Sequence, residues 1–435
     1  MKNFPVKCIA LAVTLSCMAL SAHADTVYVH AGRLVDVEKG KVLSDQRIKI
    51  EGERIVAVEP WSAPPADSKV IDWSSKTVLP GLIDMHTHIS DWDMTNNVAE
   101  PLLHSPQDVA LMGAKHAYQT LRAGFTTVHD LGTYRAFTDV ALRDAINENR
   151  VLGPRMNVVG AYITVAGGGG EVTGFAPGVE IPADMRVGVY RDANDAKLKT
   201  RYLFQHGVDT IKMMGTGSVL AEGTEPGQME MTEEEMRAVV QEAKVHKSYA
   251  TVHAHGAEGI KAAIRAGVRS VEHASLLDDE GIKMAKDNGT YLVMDIYNGD
   301  YIDEVGRKEN WPESYLRKNT ETTDVQRQAF RKAVKAGVKI AYGTDAGVYP
   351  IGTNAKQFAY MVKYGMTPMQ AIQSATVVAA DLLNWQADVG AVSAGRFADL
   401  IAVDGDPIAD ISVLETLPVV MKGGAIVPAD VLPGL

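Results

Sequence analysis

Cysteine is nearly absent: the 435-residue chain has two, Cys8 and Cys17. Both fall in a stretch that reads as a secretory signal, with Lys2 and Lys7 at the start and an apolar run from Cys8 to Leu20. Ala22-His23-Ala24 then offers a small-x-small cleavage site before Asp25. A chain cut near Ala24 holds no thiol. That excludes a Cys nucleophile and a Cys-ligated zinc site, and it suits an oxidising compartment. Thr14 stands where a lipoprotein signal usually carries Leu, which argues against lipid attachment at Cys17. Long hydrophobic runs are missing as well: the signal's apolar stretch is too short to span a bilayer, and nothing later approaches one. Positive charge is scarce, with 43 Lys and Arg against 54 Asp and Glu, a net of −11 and no basic stripe. That argues against a nucleic-acid binder, which depends on dense Lys and Arg for phosphate contacts. The expectation is an exported protein, periplasmic or secreted, with no membrane span.

The composition that remains is ordinary, 46% hydrophobic and free of low-complexity tracts, so a large core is available. Residues 25–78 read as short strands punctuated by Gly32, Gly40 and Gly52. The segment 391–435 returns to that style around Asp399 to Val403 and Val419 to Met421, so the two chain ends are expected to meet in a small β-sandwich. Between them, residues 79–390 alternate strand and helix. Candidate strands are the run ending at His88, then Phe125 to Asp130, Met156 to Ile163, Thr210 to Met214, Ala250 to His253, Ser270 to His273, Tyr291 to Ile296 and Lys339 to Thr344. Helical patterns separate the later strands: one opens with a capping box at Thr232, and three run from Glu258, Asp278 and Asp324 into Gly267, Gly289 and Gly337. Eight such units predict an α/β fold, a (β/α)8 TIM barrel. A doubly wound sheet shares the alternation, but only a closed ring brings together the ends of the first, fourth, fifth, sixth and eighth strands, where the chemistry-bearing residues fall.

Those residues form a constellation. His86 and His88 are separated by one position at the end of an apolar strand, so both imidazoles project from one side and can reach one metal ion. Lys212 interrupts an otherwise apolar strand. Burial there lowers its pKa, and the neutral amine can add carbon dioxide to become a carbamate, an anion with two oxygens able to bridge two metals. His253 and His273 are assigned to the second metal, with His255 slightly further out, and Asp345 is the carboxylate beside both. Imidazole and carboxylate donors suit zinc, although manganese, cobalt and iron share them. Two divalent ions sharing a water would generate a hydroxide, with Asp345 as general base and then general acid.

The chain resembles the amidohydrolase superfamily over almost its whole mature length, from the flanking β-sandwich to the final Asp. The resemblance implies His86, His88 and Asp345 at one metal, His253 and His273 at the other, and carboxylated Lys212 between them. Gly207 to Lys212, His253-Ala254-His255-Gly256-Ala257-Glu258-Gly259 and Asp295-Ile296-Tyr297-Asn298 look most like the prolidase-type members: Xaa-Pro dipeptidases, metallo-carboxypeptidases and ochratoxin-hydrolysing amidases. These cleave an amide whose leaving group is an amino acid. The resemblance therefore implies a small dipeptide or N-acyl-amino acid substrate, a homo-oligomer, and His255 as a contact for the substrate carboxylate. One departure stands out. Many relatives carry a His in a Gly-rich loop after the third strand, where this chain reads Ala166-Gly167-Gly168-Gly169-Gly170-Glu171. That loop is expected to be mobile, since glycine permits unusual backbone.

Tyr297 is a further candidate for touching substrate. His129 is expected to be structural, and His104, His116, His206 and His246 to lie at the surface. The rival activities are cyclic-amide, lactone or ester hydrolysis within the same superfamily. The rival outside enzymes is a silent metal- or ligand-binding envelope protein.

Overall fold

The computed structural model describes residues 26–92, 95–429 and 431. The expected signal, its cleavage site, Cys8 and Cys17 lie outside them. In chain order the first strands are β1 (Thr26–Asp36), β2 (Lys41–Glu51), β3 (Arg54–Pro60) and β4 (Lys69–Pro80). Next come β5 (Leu82–Thr87), β6 (Phe125–Asp130), β7 (Arg155–Val158), β8 (Tyr162–Val165) and β9 (Val189–Tyr190). Then follow β10 (Ile211–Met214), β11 (Ala250–Ala254), β12 (Ser270–His273), β13 (Tyr291–Val293) and β14 (Ile340–Ala341). The last are β15 (Leu400–Val403), β16 (Val419–Lys422) and β17 (Ala425–Ile426).

The two chain ends do meet. Their strands form one seven-stranded sheet in the order β17-β16-β15-β4-β1-β2-β3, curling over a separate core that includes Val29, Ile48, Ile50, Leu400 and Met421. Strand β4 belongs to this sheet through to Pro80, past the boundary expected at residue 78. Only Gly81 separates it from the first barrel strand.

The middle of the chain is the (β/α)8 barrel. Parallel strands run β5-β6-β7 in one arc and β8-β10-β11-β12-β13-β14 in the other. Thr210 N donates to Val158 O (3.2 Å) across one join. The other is closed by Met85 N to Tyr342 O and Asp345 N to His86 O, each 2.8 Å. The third strand, expected unbroken from Met156 to Ile163, is two pieces, β7 and β8. Gly160 between them has φ +77°, which takes the chain out of extended geometry. The seventh and eighth strands also end sooner than expected, at Val293 and Ala341.

Outside the barrel, the capping box at Thr232 opens the helix Glu233–Val245. Gly267, Gly289 and Gly337 end their helices in left-handed conformation. The last of these begins at Glu313, eleven residues before the expected Asp324. Its buried face explains the miss: Lys318, Asn319, Thr322 and Gln326 are polar, so the first turns lack the apolar stripe that marks a helix in sequence. This polar face lies over the open end of the barrel. Among the described residues, no helix is long and apolar enough to cross a membrane.

Candidate active site

Parallel register sets the heights of the side chains at the barrel mouth. Met214 is level with His253, and His253 with Glu272, so Lys212 sits two residues deeper than His253. At that depth Lys212 is 1% exposed. Burial pushes its amine down to about 8, although Glu272, Asp345 and Asp295 favour the charged form.

Three overlapping donor groups lie above it, one of them, His273, Asp295 and Asp345, linking the other two. In the first, His86 Nε2 and His88 Nε2 lie 3.4 and 3.2 Å from Asp345 Oδ1. In the second, the ligand atoms of His253, His255 and His273 are all within 4.8 Å of one another. The clusters adjoin, since the His86 and His273 ring centres are 4.8 Å apart and Lys212 Nζ reaches His86 Nε2 at 3.4 Å.

Each ring is aimed from behind. His86 Nδ1 bonds Glu272 Oε2 (3.1 Å) and His88 Nδ1 donates to Gly132 O (2.9 Å). His273 Nδ1 bonds Asp295 Oδ1 (3.0 Å) and His255 Nδ1 bonds Ser275 Oγ (2.8 Å). In these four the opposite nitrogen, Nε2, is left toward the shared space. His253 is turned the other way, its Nε2 being 3.2 Å from Ser218 Oγ. The backbone is forced to deliver two of these groups: His273 and Asp345 have φ of +65° and +60°. Left-handed geometry at a non-glycine residue costs about 1–3 kcal/mol and persists where surrounding contacts over-determine it. Here Asp345 N is tied to His86 O on the first strand.

The donors fit divalent cations. Burial drives His86, His253 and His255 well below the ordinary imidazole range, so their lone pairs are available at neutral pH. His88 is the exception: burial lowers it, but hydrogen bond and charge from Asp345 outweigh that and leave it raised. Both carboxylates behind the rings are deeply buried and hydrogen-bonded. Glu272 accepts from Ser270 Oγ (2.7 Å) and Thr251 Oγ1, and Asp295 accepts from Gln326 Nε2 (2.9 Å) and Asn298 Nδ2 (3.1 Å). Such outer partners fix ring orientation and raise basicity. Glu272→Gln should therefore weaken metal affinity about 10–100-fold, read by competition with a chromogenic chelator. Affinity equal to wild type would mean that Glu272 serves packing alone.

Of the expected site residues, His86, His88, Lys212, His253, His255, His273 and Asp345 converge on one cleft. His255 is not further out but grouped with His253 and His273. Tyr297 does not line the cleft. The chain turns after β13 into the helix Asn298–Glu309, and the Tyr297 ring packs edge-on against Tyr349 and Tyr360 at 5.1 and 5.2 Å. Its neighbour Asn298 takes the place, donating from Nδ2 to Asp345 Oδ2 and Asp295 Oδ2 (3.1 Å each). His129 is buried on Thr210 Oγ1 (2.9 Å). His116, expected at the surface, is buried against Ile89 O (3.2 Å), because its face of the helix Pro106–Arg122 meets the barrel. In the glycine-rich loop, Gly169 N donates to Glu230 Oε2 (2.8 Å) and Gly167 N to Glu171 Oε2 (2.7 Å). A Cβ on Gly169 would sit 2.6 Å from Ser218 Oγ, so glycine there serves close approach.

Sequence reasoning missed Glu272, and it quoted Asp295 and Asn298 within a family-like run without giving either a role. Glu272 carried a signal, a second charged residue in the short buried strand that holds His273.

The sequence pattern of the amidohydrolase family matches residues 77–427. Ochratoxinase from Aspergillus niger is 31% identical over 379 residues, spanning 80% of this chain and 75% of its own. A solved Xaa-Pro dipeptidase with methionine bound in its active site is similar at TM-score 0.87 and 38% identity, covering 93% of this chain and 100% of that one. A prolidase complexed with N-methylphosphonate-L-proline is similar at TM-score 0.85 and 27% identity, over 92% and 99% of the two chains.

Proposed function

This chain belongs to the amidohydrolase family and is a hydrolase of C–N bonds; from that premise we propose a binuclear amidase that releases an amino acid from a dipeptide or N-acyl-amino acid. The observation that carries the reading is the pair of adjoining donor clusters, His86, His88 and Asp345 beside His253, His255 and His273, above a buried Lys212. His86, His88 and Asp345 would hold one divalent ion, and His253 and His273 the other. Zinc is the metal the donor set suits best. We propose that Lys212 is carboxylated: burial brings its amine to about 8, so a useful share is neutral and free to add carbon dioxide. When bound, the two ions would polarise the scissile carbonyl and lower the pKa of the attacking water.

The chain's own groups do the rest. Asp345 accepts a proton from the attacking water and delivers it to the departing nitrogen. Asn298 Nδ2 donates to Asp345 Oδ2 while Oδ1 lies beside His86 and His88, so the carboxylate is held in place for that transfer. His255 is kept neutral by burial and is our choice to hold the substrate carboxylate, with Ser218 and Ser275 hydroxyls in the same cleft wall. A carboxylated leaving group is supported by the methionine in the solved dipeptidase and the proline phosphonate on the prolidase.

The test is amino-acid release by the zinc-loaded protein, beginning near Asp25, from a panel of Xaa-Pro dipeptides, other dipeptides and aromatic N-acyl-amino acids. Release that a chelator abolishes is the expected result. Silence across the panel with metal bound would reject the amidase reading in favour of cyclic amides, lactones or esters.

A further inference from the structure

Resting on the amidase reading, we propose that the acyl portion of the substrate occupies a second chamber and carries a cationic nitrogen that pairs with Asp91. The enzyme then prefers dipeptides with a free α-amine to N-acylated ones.

The cleft does not end at the histidines. It continues into a second cavity, and Asp91, Trp92, Tyr134 and Leu220 line both, so these four form the neck between them. Among the described residues, no Lys or Arg lines the second cavity. It does contain three carboxylates. Two have a side-chain partner: Glu100 lies 2.8 Å from His104 Nε2, and Glu171 pairs with Arg186. Asp91 has no such partner: it is 7% exposed, among the described residues its oxygens accept the backbone N–H groups of Trp92 (2.9 Å) and Tyr134 (2.8 Å) and pair with no Lys or Arg, and the favourable charge that reaches it is that of His88, without an ion pair. A carboxylate so buried is costly unless a cation joins it. Each oxygen has one acceptor position left after its backbone bond.

Its position suits one particular cation. Asp91 lies three residues beyond His88, and its N–H donates to His88 O at 3.2 Å. His255 and Ser275, our carboxylate contacts, come from the ends of β11 and β12, across the barrel mouth from β5. A dipeptide laid from His255 past the metal ligands brings its α-ammonium, one carbon beyond the scissile carbonyl, to the neck. There the aromatic side chains of Trp92 and Tyr134 line the neck beside Asp91. An acyl group bearing a carboxylate would instead meet Asp91.

The experiment compares kcat/KM for matched pairs, an unblocked dipeptide and its N-acetyl form with the same C-terminal residue, using the zinc-loaded protein and its Asp91→Asn variant. Wild type should favour the unblocked member by about tenfold or more, the value of a charge-assisted hydrogen bond, and the ratio should collapse toward unity in Asp91→Asn. A wild-type ratio near one, or cleavage of blocked substrates alone, overturns the inference while leaving the amidase reading standing. An unchanged ratio in the variant, with both rates equally reduced, also overturns it, because Asp91 then only braces the Trp92 and Tyr134 backbone. If Asp91→Asn does not fold, the wild-type ratio decides alone. Cleavage of neither member with metal bound removes the amidase reading and this inference with it.

Discussion

Asp345→Asn should lower kcat by about 10³-fold, within the 10²–10⁴ range of general acid–base catalysis, with a much smaller change in KM. The substitution is nearly isosteric, so the left-handed backbone at φ +60° and its hydrogen bond to His86 O can persist. What goes is the carboxylate that can take a proton beside His88 and His86. Because Asp345 also stands in a metal cluster, kinetics alone would not separate proton transfer from metal loss. Metal content should be measured on the same sample. A variant that keeps its metal and loses turnover supports the proton-carrying role. A variant with kcat within a few fold of wild type excludes it.

Lys212→Ala should be at least as damaging, with activity down on the order of 10³-fold or more and metal content down with it, since metal activation of the water goes too. Neither neighbouring carboxylate offers a replacement: Glu272 is engaged by His86, Ser270 and Thr251, and Asp295 by His273, Gln326 and Asn298. The vacated space would admit a small acid, so formate or acetate should restore part of the activity if the lost group is a carbamate. The wild type offers a companion test in pH. Carbon dioxide adds only to the neutral amine, and burial lowers Lys212 to about 8. At fixed dissolved carbon dioxide, reactivation of chelator-stripped protein should therefore speed up about tenfold per pH unit below 8 and level off above it. An ordinary exposed Lys would keep accelerating past pH 10. Full activity in Lys212→Ala, or reactivation indifferent to carbon dioxide, contradicts the assignment.

What could be read in advance divides along physical lines. His86, His88, Lys212, His253, His273 and Asp345 were legible because each interrupts or ends an apolar strand, and strand ends in a barrel share one rim. The alternation that locates those strands also defined the barrel, and the β-rich ends defined the accessory sheet. Details set by local backbone were not legible. Gly160 splits the third strand, and the turn after Val293 sends Tyr297 into an aromatic cluster and Asn298 into the cleft. Neither is visible as periodicity. The roles of Glu272 and Asp295 were not legible because a carboxylate behind a histidine is chosen by cross-strand neighbours, not by sequence spacing. Asp91 sits on a loop, and its meaning depends on which charges its neighbours neutralise. The early turns of the helix from Glu313 were hidden by the polar face that now covers the site.

The measurement that bears most directly on the account is a zinc titration of the chelator-stripped protein, followed by amino-acid release from its best dipeptide. The account predicts no release without metal and activity that climbs to a plateau at about two ions per chain, one on His86, His88 and Asp345 and one on His253 and His273. Activity that survives complete metal removal, or two bound ions with no release from any amide, would contradict it.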